Sequence, residues 1–158
     1  MSEYPQINEK DDFPKGKFAA RSAVRMVVFQ LLYQEELNPG SREQFSDTVF
    51  QNELPQHKPL QDFAALLLNG IIEKQEEIDK AVAEVALNWT LTRMTAVDRC
   101  ILRLAAYEIM FTETPKAVVI NEAVELAKKF GTNESAAFVN GILDKLSVNN
   151  KSANNQKG

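Results

Sequence analysis

The stretch TAVDRCILRLAAYEIM, residues 95–110, decides how this chain is read. Thr95 followed three residues later by Asp98 has the form of a capping box. In that motif the Thr95 hydroxyl accepts from the Asp98 N–H, and the Asp98 carboxylate reaches back to the Thr95 N–H. Behind the cap, Ile101, Leu104, Ala105 and Ile109 recur at the three- and four-residue spacings of a buried helical face. A strand would alternate every second residue, and this segment does not. It is a helix with a definite start and a strongly apolar body.

The same pattern extends in both directions. Toward the C-terminus, Pro115 opens a further helix through INEAVELAKKF (residues 120–130), which Gly131 ends as a C-terminal cap. A last helix is expected from about Asn133 to Leu146, and residues 147–158, SVNNKSANNQKG, have nothing to bury and are expected to be disordered. Toward the N-terminus, Phe63, Leu66, Leu67, Ile71, Ile78, Val82, Val85 and Trp89 keep the helical period. A single helix over Leu60–Asn88 would be 29 residues long, so a break is expected in the polar run Glu73–Glu77. Pro59 fits the first turn of that region, where its missing N–H costs nothing. Leu54–Pro59 reads as a loop and Arg42–Glu53 as a weaker helix carrying Phe45, Val49 and Phe50. A helix over Lys17–Leu37 carries Val24, Val27, Val28, Leu31 and Leu32 on one stripe and stops at Asn38-Pro39-Gly40-Ser41.

The fold class expected is therefore all-α, with six or seven helices in two small packed bundles. One domain spans residues 15–147, with sub-bundles of about 15–87 and 88–147. Residues 1–14 form a polar arm and residues 148–158 a tail. Composition agrees. At 158 residues with 44% hydrophobic and 25% charged residues, the chain suits one ordinary globular domain. Six Gly and six Pro are too few for a sandwich or barrel, which needs a turn every eight to twelve residues. One cysteine, Cys100, excludes a disulfide framework and a cysteine-based zinc site. The single histidine, His57, lies in a polar, proline-flanked loop, where a surface position is expected. No apolar run is long enough to span a membrane, and the acidic start MSEYPQINEKDDF is unlike a secretory signal, so a cytoplasmic protein is expected.

Catalytic patterns are missing too. The sequence holds no Gly-rich phosphate loop, His-Glu-x-x-His pair or Gly-x-Ser-x-Gly elbow. Glu122 and Glu125 sit three apart, but Lys128 and Lys129 follow at the spacing of helix ion pairs, which reads as a solvated face. Neither an enzyme nor a cofactor is expected. Charge is more informative. The net charge is −4, yet Lys15, Lys17, Arg21 and Arg25 give residues 13–34 a charge of +4 with no acid among them, leaving −8 elsewhere. Spacing of four puts Lys17, Arg21 and Arg25 within about 80° of arc on one flank of the first helix. Such a stripe either balances acids elsewhere in the fold or contacts the phosphates of a nucleic acid.

Three segments carry a resemblance to the NusB family of bacterial transcription antitermination factors: RSAVRMVVFQLLYQEEL (residues 21–37), NWTLTRMTAVDRCILRLAAYEI (88–109) and VVINEAVELAKKFGTNESAAFVNGILDKL (118–146). The resemblance implies two small helical bundles and a non-enzymatic factor. It implies binding of boxA-type single-stranded RNA in nascent ribosomal RNA, jointly with NusE, a small-subunit ribosomal protein. Together they join the RNA polymerase antitermination complex. Relatives begin the first helix with a dense arginine run that meets RNA. Here Arg21 and Arg25 match it, Ser22 and Ala23 depart from it, and Lys15 and Lys17 substitute in part as point charges without a planar fork. Phe138 matches an aromatic linked to RNA binding, either stacking on a base or serving the core. Asn133-Glu134-Ser135 matches a position tied to altered antitermination and equally suits a helix cap. Tyr33 and Asp98 match positions that contact NusE, with Arg99 and Glu108 on the same helix as Asp98 expected at the rim. Tyr33 also suits a half-buried aromatic with a wet hydroxyl. Trp89, Leu102, Leu104 and Tyr107 are assigned to the core. The alternative implied is a NusB-like binding module akin to the domain attached to some ribosomal RNA methyltransferases. Those enzymes continue into a cofactor-binding domain, and this sequence ends at Gly158, so methylation by this polypeptide is not expected.

Overall fold

A computed structural model of the chain describes residues 17–41, 57–87 and 90–157, with side chains over 20–41, 57–87 and 90–150. Among them are six α-helices, one 3-10 turn and no strand: α1 (Lys17–Leu37), α2 (Lys58–Glu73), α3 (Gln75–Val85), the 3-10 turn (Leu91–Arg93), α4 (Ala96–Phe111), α5 (Lys116–Phe130) and α6 (Ser135–Lys157). The all-α expectation holds. Arg42–Glu53, the 1–14 arm and the core assignment of Trp89 lie outside the described residues.

Local chemistry sets the helix ends. α1 stops where Gly40 takes φ +93°, a left-handed conformation that favours glycine. The Gly40 N–H donates to Glu35 Oε1 at 3.0 Å, and Ser41 Oγ donates to the Gln34 carbonyl at 3.3 Å. The break between α2 and α3 is a kink at Lys74 (φ −102°, ψ 14°). Lys74 N donates to the Gly70 carbonyl and Ile78 N to the Lys74 carbonyl, each at 2.9 Å, so the hydrogen-bond ladder runs through the bend. Thr95 Oγ1 caps α4 by accepting from Asp98 N at 3.1 Å. The reciprocal half of the expected capping box is not made by Asp98 Oδ1, which is buried without a hydrogen-bond partner.

Two further expectations are corrected. The chain divides into two compact units between Asn69 and Gly70, not near residue 87. The reason is that α3 packs on α4 and α6, and so belongs with the C-terminal helices. The last helix runs on to Lys157 instead of ending near Leu146. No glycine or proline interrupts residues 147–157, and extending an existing helix adds a hydrogen bond without a new nucleus. Asn150 Nδ2 also donates to the Ile109 carbonyl at 3.2 Å, tying α6 to the end of α4.

In the second unit α4, α5 and α6 pack pairwise. Ile101, Leu102, Leu104 and Ile109 of α4 are buried, each side chain contributing roughly 1.5–3 kcal/mol. Cys100 is fully buried as expected, and burial pushes its thiol up to about 11. Arg103 forks onto Asp79 at 2.9 and 3.0 Å, joining α4 to α3. Tyr107 lies so close to α2 that a Cβ at Gly70 would overlap its ring and hydroxyl. In the first unit α1 buries Val24, Val27, Val28 and Leu31, while α2 buries Phe63, Ala64 and Leu67.

Gly70→Ala should therefore destabilise the fold by about 1–3 kcal/mol despite alanine's better helix propensity. Thermal melts check this. Tyr107→Phe removes the nearest obstructing atom, so the double variant should recover part of the loss.

Candidate functional site

The basic flank of α1 is only partly presented to solvent. Arg21 is half-buried, with its guanidinium 4.5 Å from the centroid of the Phe63 ring. Arg25 is buried at 3% exposure, 5.4 Å from the same centroid. Spacing put both on one flank, and the structure brings both over one aromatic ring. A guanidinium stacked this way gains ~0.5–1 kcal/mol at an exposed site. It also loses rotational freedom, so Arg21 is held in place over the ring. Arg25 cannot meet a phosphate as freely, because little of it reaches the surface. Lys15 lies outside the described residues, and only the backbone of Lys17 is described. Phe63 was not singled out from sequence as a platform, since its apolar spacing marks it only as core.

Tyr33 is half-buried at the C-terminal half of α1 and stacks on Phe29, with centroids 6.2 Å apart and planes at 20°. That matches a half-buried aromatic.

In the second unit the proposed partner contacts gather at the start of α4. Asp98 is 8% exposed, and its Oδ1 has no hydrogen-bond partner. A buried oxygen left in that state costs about 1–3 kcal/mol, more when charged. Of the two residues expected at the rim, Glu108 is instead buried at 1% exposure, where Thr114 Oγ1 donates to its Oε1 at 3.5 Å, and Arg99 has structural work. One guanidinium nitrogen donates to the Leu91 carbonyl at 2.6 Å and to the Met94 carbonyl at 2.9 Å, closing the 3-10 turn onto α4. Burial, and then the nearby Arg103 guanidinium, lower its pKa from the ordinary value.

The Asn133–Ser135 segment is a helix start. Ser135 Oγ accepts from Thr132 N at 2.9 Å, and Thr132 Oγ1 accepts from Glu134 N at 3.3 Å. Phe138, one turn later on α6, is half-buried and lines a cleft with Leu87, Gly141 and Lys145. Sequence reading passed over Leu87, Gly141 and Lys145, although the 138–141–145 spacing that puts Gly141 and Lys145 on one helical face with Phe138 was available. No cluster of three or more metal-ligating side chains occurs among the described residues, and Lys128 pairs with Glu125 at 3.5 Å on an exposed face.

A family model described as the NusB family matches residues 22–148. The chain belongs to the NusB family. A transcription antitermination protein NusB from Geobacter sulfurreducens is 41% identical over 128 residues, covering 80% of this chain and 93% of that protein. Its counterpart from Trichlorobacter lovleyi is 44% identical over 129 residues, covering 80% and 89%. Among solved structures, T. maritima NusB superposes with a TM-score of 0.70 at 36% identity, over 80% of this chain and 89% of that one. The NusB chain in a crystal structure of antitermination factors NusB and NusE with double-stranded RNA gives 0.74 at 25% identity, over 82% and 97%. The order of the described helices is thus a NusB fold.

Thr95→Ala should cost about 0.5–2 kcal/mol, the worth of an N-cap. Asp98→Ala should cost less, because it removes an unpartnered oxygen and leaves the backbone N–H that Thr95 caps. Melting both variants checks the ranking. A larger loss for Asp98→Ala would show that the carboxylate serves the fold of the isolated chain.

Proposed function

We propose that this chain is a transcription antitermination factor of the bacterial cytoplasm. It binds boxA-type RNA together with NusE, delivers the pair to transcribing RNA polymerase, and works by binding rather than by catalysis. The observation that carries the reading is the match to NusB proteins across nearly the whole of their length, with a TM-score of 0.74 to a NusB solved with NusE and RNA. The site residues divide by role. Arg21, pre-set on Phe63, is the principal phosphate contact on α1, with Lys15 and Lys17 extending the field toward the N-terminus. Arg25 shares the Phe63 ring and steadies that contact. Phe138 offers a ring to RNA on α6. Tyr33, Asp98 and Arg99 face NusE, and a donor from NusE gives the Asp98 carboxylate the hydrogen bond it lacks within the chain.

Charge explains why two proteins act together. A basic stripe of about four charges on a chain of net −4 attracts RNA weakly, so NusE must supply added contacts and positive field. By thermodynamic reciprocity, RNA then tightens the NusB–NusE pair by the same factor that NusE tightens RNA binding.

Fluorescence anisotropy with a boxA-type single-stranded RNA, with and without NusE over a salt series, tests the reading. Arg21→Glu should lower RNA affinity at least tenfold with helical content intact. It should also flatten the log–log salt slope by about 0.7 for the lost phosphate contact. Calorimetry of NusE with Asp98→Asn should show weaker binding while the cap persists. RNA binding by the unmutated chain with no NusE binding would replace this reading with that of a NusB-like binding module. No RNA binding in either condition would overturn both.

A further inference from the structure

Residues 1–12, MSEYPQINEKDD, carry Glu3, Glu9, Asp11 and Asp12 against Lys10 alone, a net charge of −3. Residues 13–34 carry +4 with no acid among them. Opposite charges of nearly equal size therefore stand on two consecutive segments. Three of the four acids fall within Glu9–Asp12, next to the basic segment. The family match begins at residue 22, so this acidic run lies outside the matched part of the chain.

The structure shows which cation on α1 is left to meet it. Arg21 is half-buried, with its guanidinium 4.5 Å from the centroid of the Phe63 ring. Contact with a ring engages the flat face of a guanidinium and leaves its in-plane N–H donors for an anion. Arg21 makes no ion pair or hydrogen bond with a described residue. Asp62, the acid beside Phe63 in sequence, pairs with Lys58 at 3.4 Å instead. No acid stands in the first turn of α1, so the positive end of the helix adds to the field there. Distance is no obstacle. Arg21 lies about 6 Å along the helix from Lys17. The chain from Asp12 to Lys17 spans up to about 17 Å when extended, which is ample to bring the acidic run back to Arg21.

We propose that the acidic run Glu9–Asp12 docks on the basic flank of α1, its carboxylates on Arg21 and Lys17, and that RNA must displace it. The docking stands on charge and reach within the chain, and its effect on RNA rests on the RNA-binding reading above. A segment tethered this closely competes at an effective concentration of about millimolar, so ion pairs that are weak one by one suffice to engage it. Competition for one surface lowers the affinity of every RNA by the same factor. An RNA that is also held by NusE keeps enough affinity to displace the run. A polyanion that touches only α1 does not. The run thus sets a threshold against casual RNA contact.

The test has one readout without RNA and one with it, both on the full chain. In nitrogen-15 NMR spectra of the free protein, the Arg21 Nε–H signal is identified by its loss in Arg21→Lys. That signal should shift when the run is neutralised by Glu9→Gln, Asp11→Asn and Asp12→Asn together. The shift should fade as salt rises from about 0.1 M to about 1 M, where the range of charge interactions drops from about 10 Å to about 3 Å. With NusE at saturation, the neutralised chain should bind a fluorescein-labelled boxA-type RNA about 3- to 100-fold tighter, the worth of three exposed ion pairs. The gap between the two chains should close as salt increases. An Arg21 signal that does not move on neutralisation overturns the docking. A signal that moves while RNA affinity stays the same overturns the competition and leaves RNA binding standing. Weaker NusE binding by the neutralised chain, measured without RNA, overturns the proposal in favour of an acidic run that serves the protein partner. If the unmutated chain binds no RNA although the Arg21 signal moves, the docking stands and the RNA-binding reading falls.

Discussion

The burial of α4 on nearly all sides constrains the rest of the second unit. Ile101, Leu102, Leu104, Ala105, Ala106 and Ile109 are all within 2% of complete burial, and they cannot be sheltered by one neighbouring helix. α3, α5 and α6 each pack against it. A small residue also sets how near Tyr107 of this helix comes to Gly70, the glycine that opens the second unit. A helix enclosed in this way can present side chains to a partner only near its ends. Asp98, with an oxygen that the fold leaves unsatisfied, stands at one of them.

Charges in and around this core are arranged to hold geometry. The Arg103–Asp79 fork is bidentate and mostly shielded, so it fixes the rotation of α4 against α3 more firmly than an exposed pair would. Arg99 uses its guanidinium to collect the carbonyls of Leu91 and Met94, the first of which also accepts from Met94 N at 3.3 Å, so one side chain holds the 3-10 turn against the start of α4. Arg21 and Arg25 share a ring in the first unit. The planar guanidinium offers what an ammonium lacks, two paired donors in the Arg103 fork and a flat face over the Phe63 ring.

What the sequence made legible was local. The end of α1 at Asn38, the bend in the Glu73–Glu77 run and the Thr95 cap each depend on the chemistry of a few adjacent residues, and each is where the pattern placed it. What stayed hidden depended on neighbours remote in sequence. Spacing puts Arg25 on a flank, but only Phe63 in the next described helix shows how deep that flank lies. The division at Asn69 follows from where α3 packs, which no local signal states. The extension of α6 was missed because a lack of apolar residues was read as a lack of order, although a helix already nucleated needs no buried face to continue. Asp98 was readable as a helix-start residue but not as a carboxylate with an unpartnered oxygen.

Cys100 gives the molecule a built-in reporter. It is the chain's one thiol, fully buried in the middle of the enclosed helix, and held protonated by its surroundings up to about pH 11. An alkylating reagent can reach it only when α4 comes away from its neighbours, because the reactive thiolate needs both water and deprotonation. The rate of alkylation at neutral pH therefore measures how often the core opens, much as amide exchange does for a buried backbone hydrogen. Any ligand that binds only the closed core would slow that chemistry in proportion to its own occupancy, so the unlabelled natural chain carries a gauge of its own engagement.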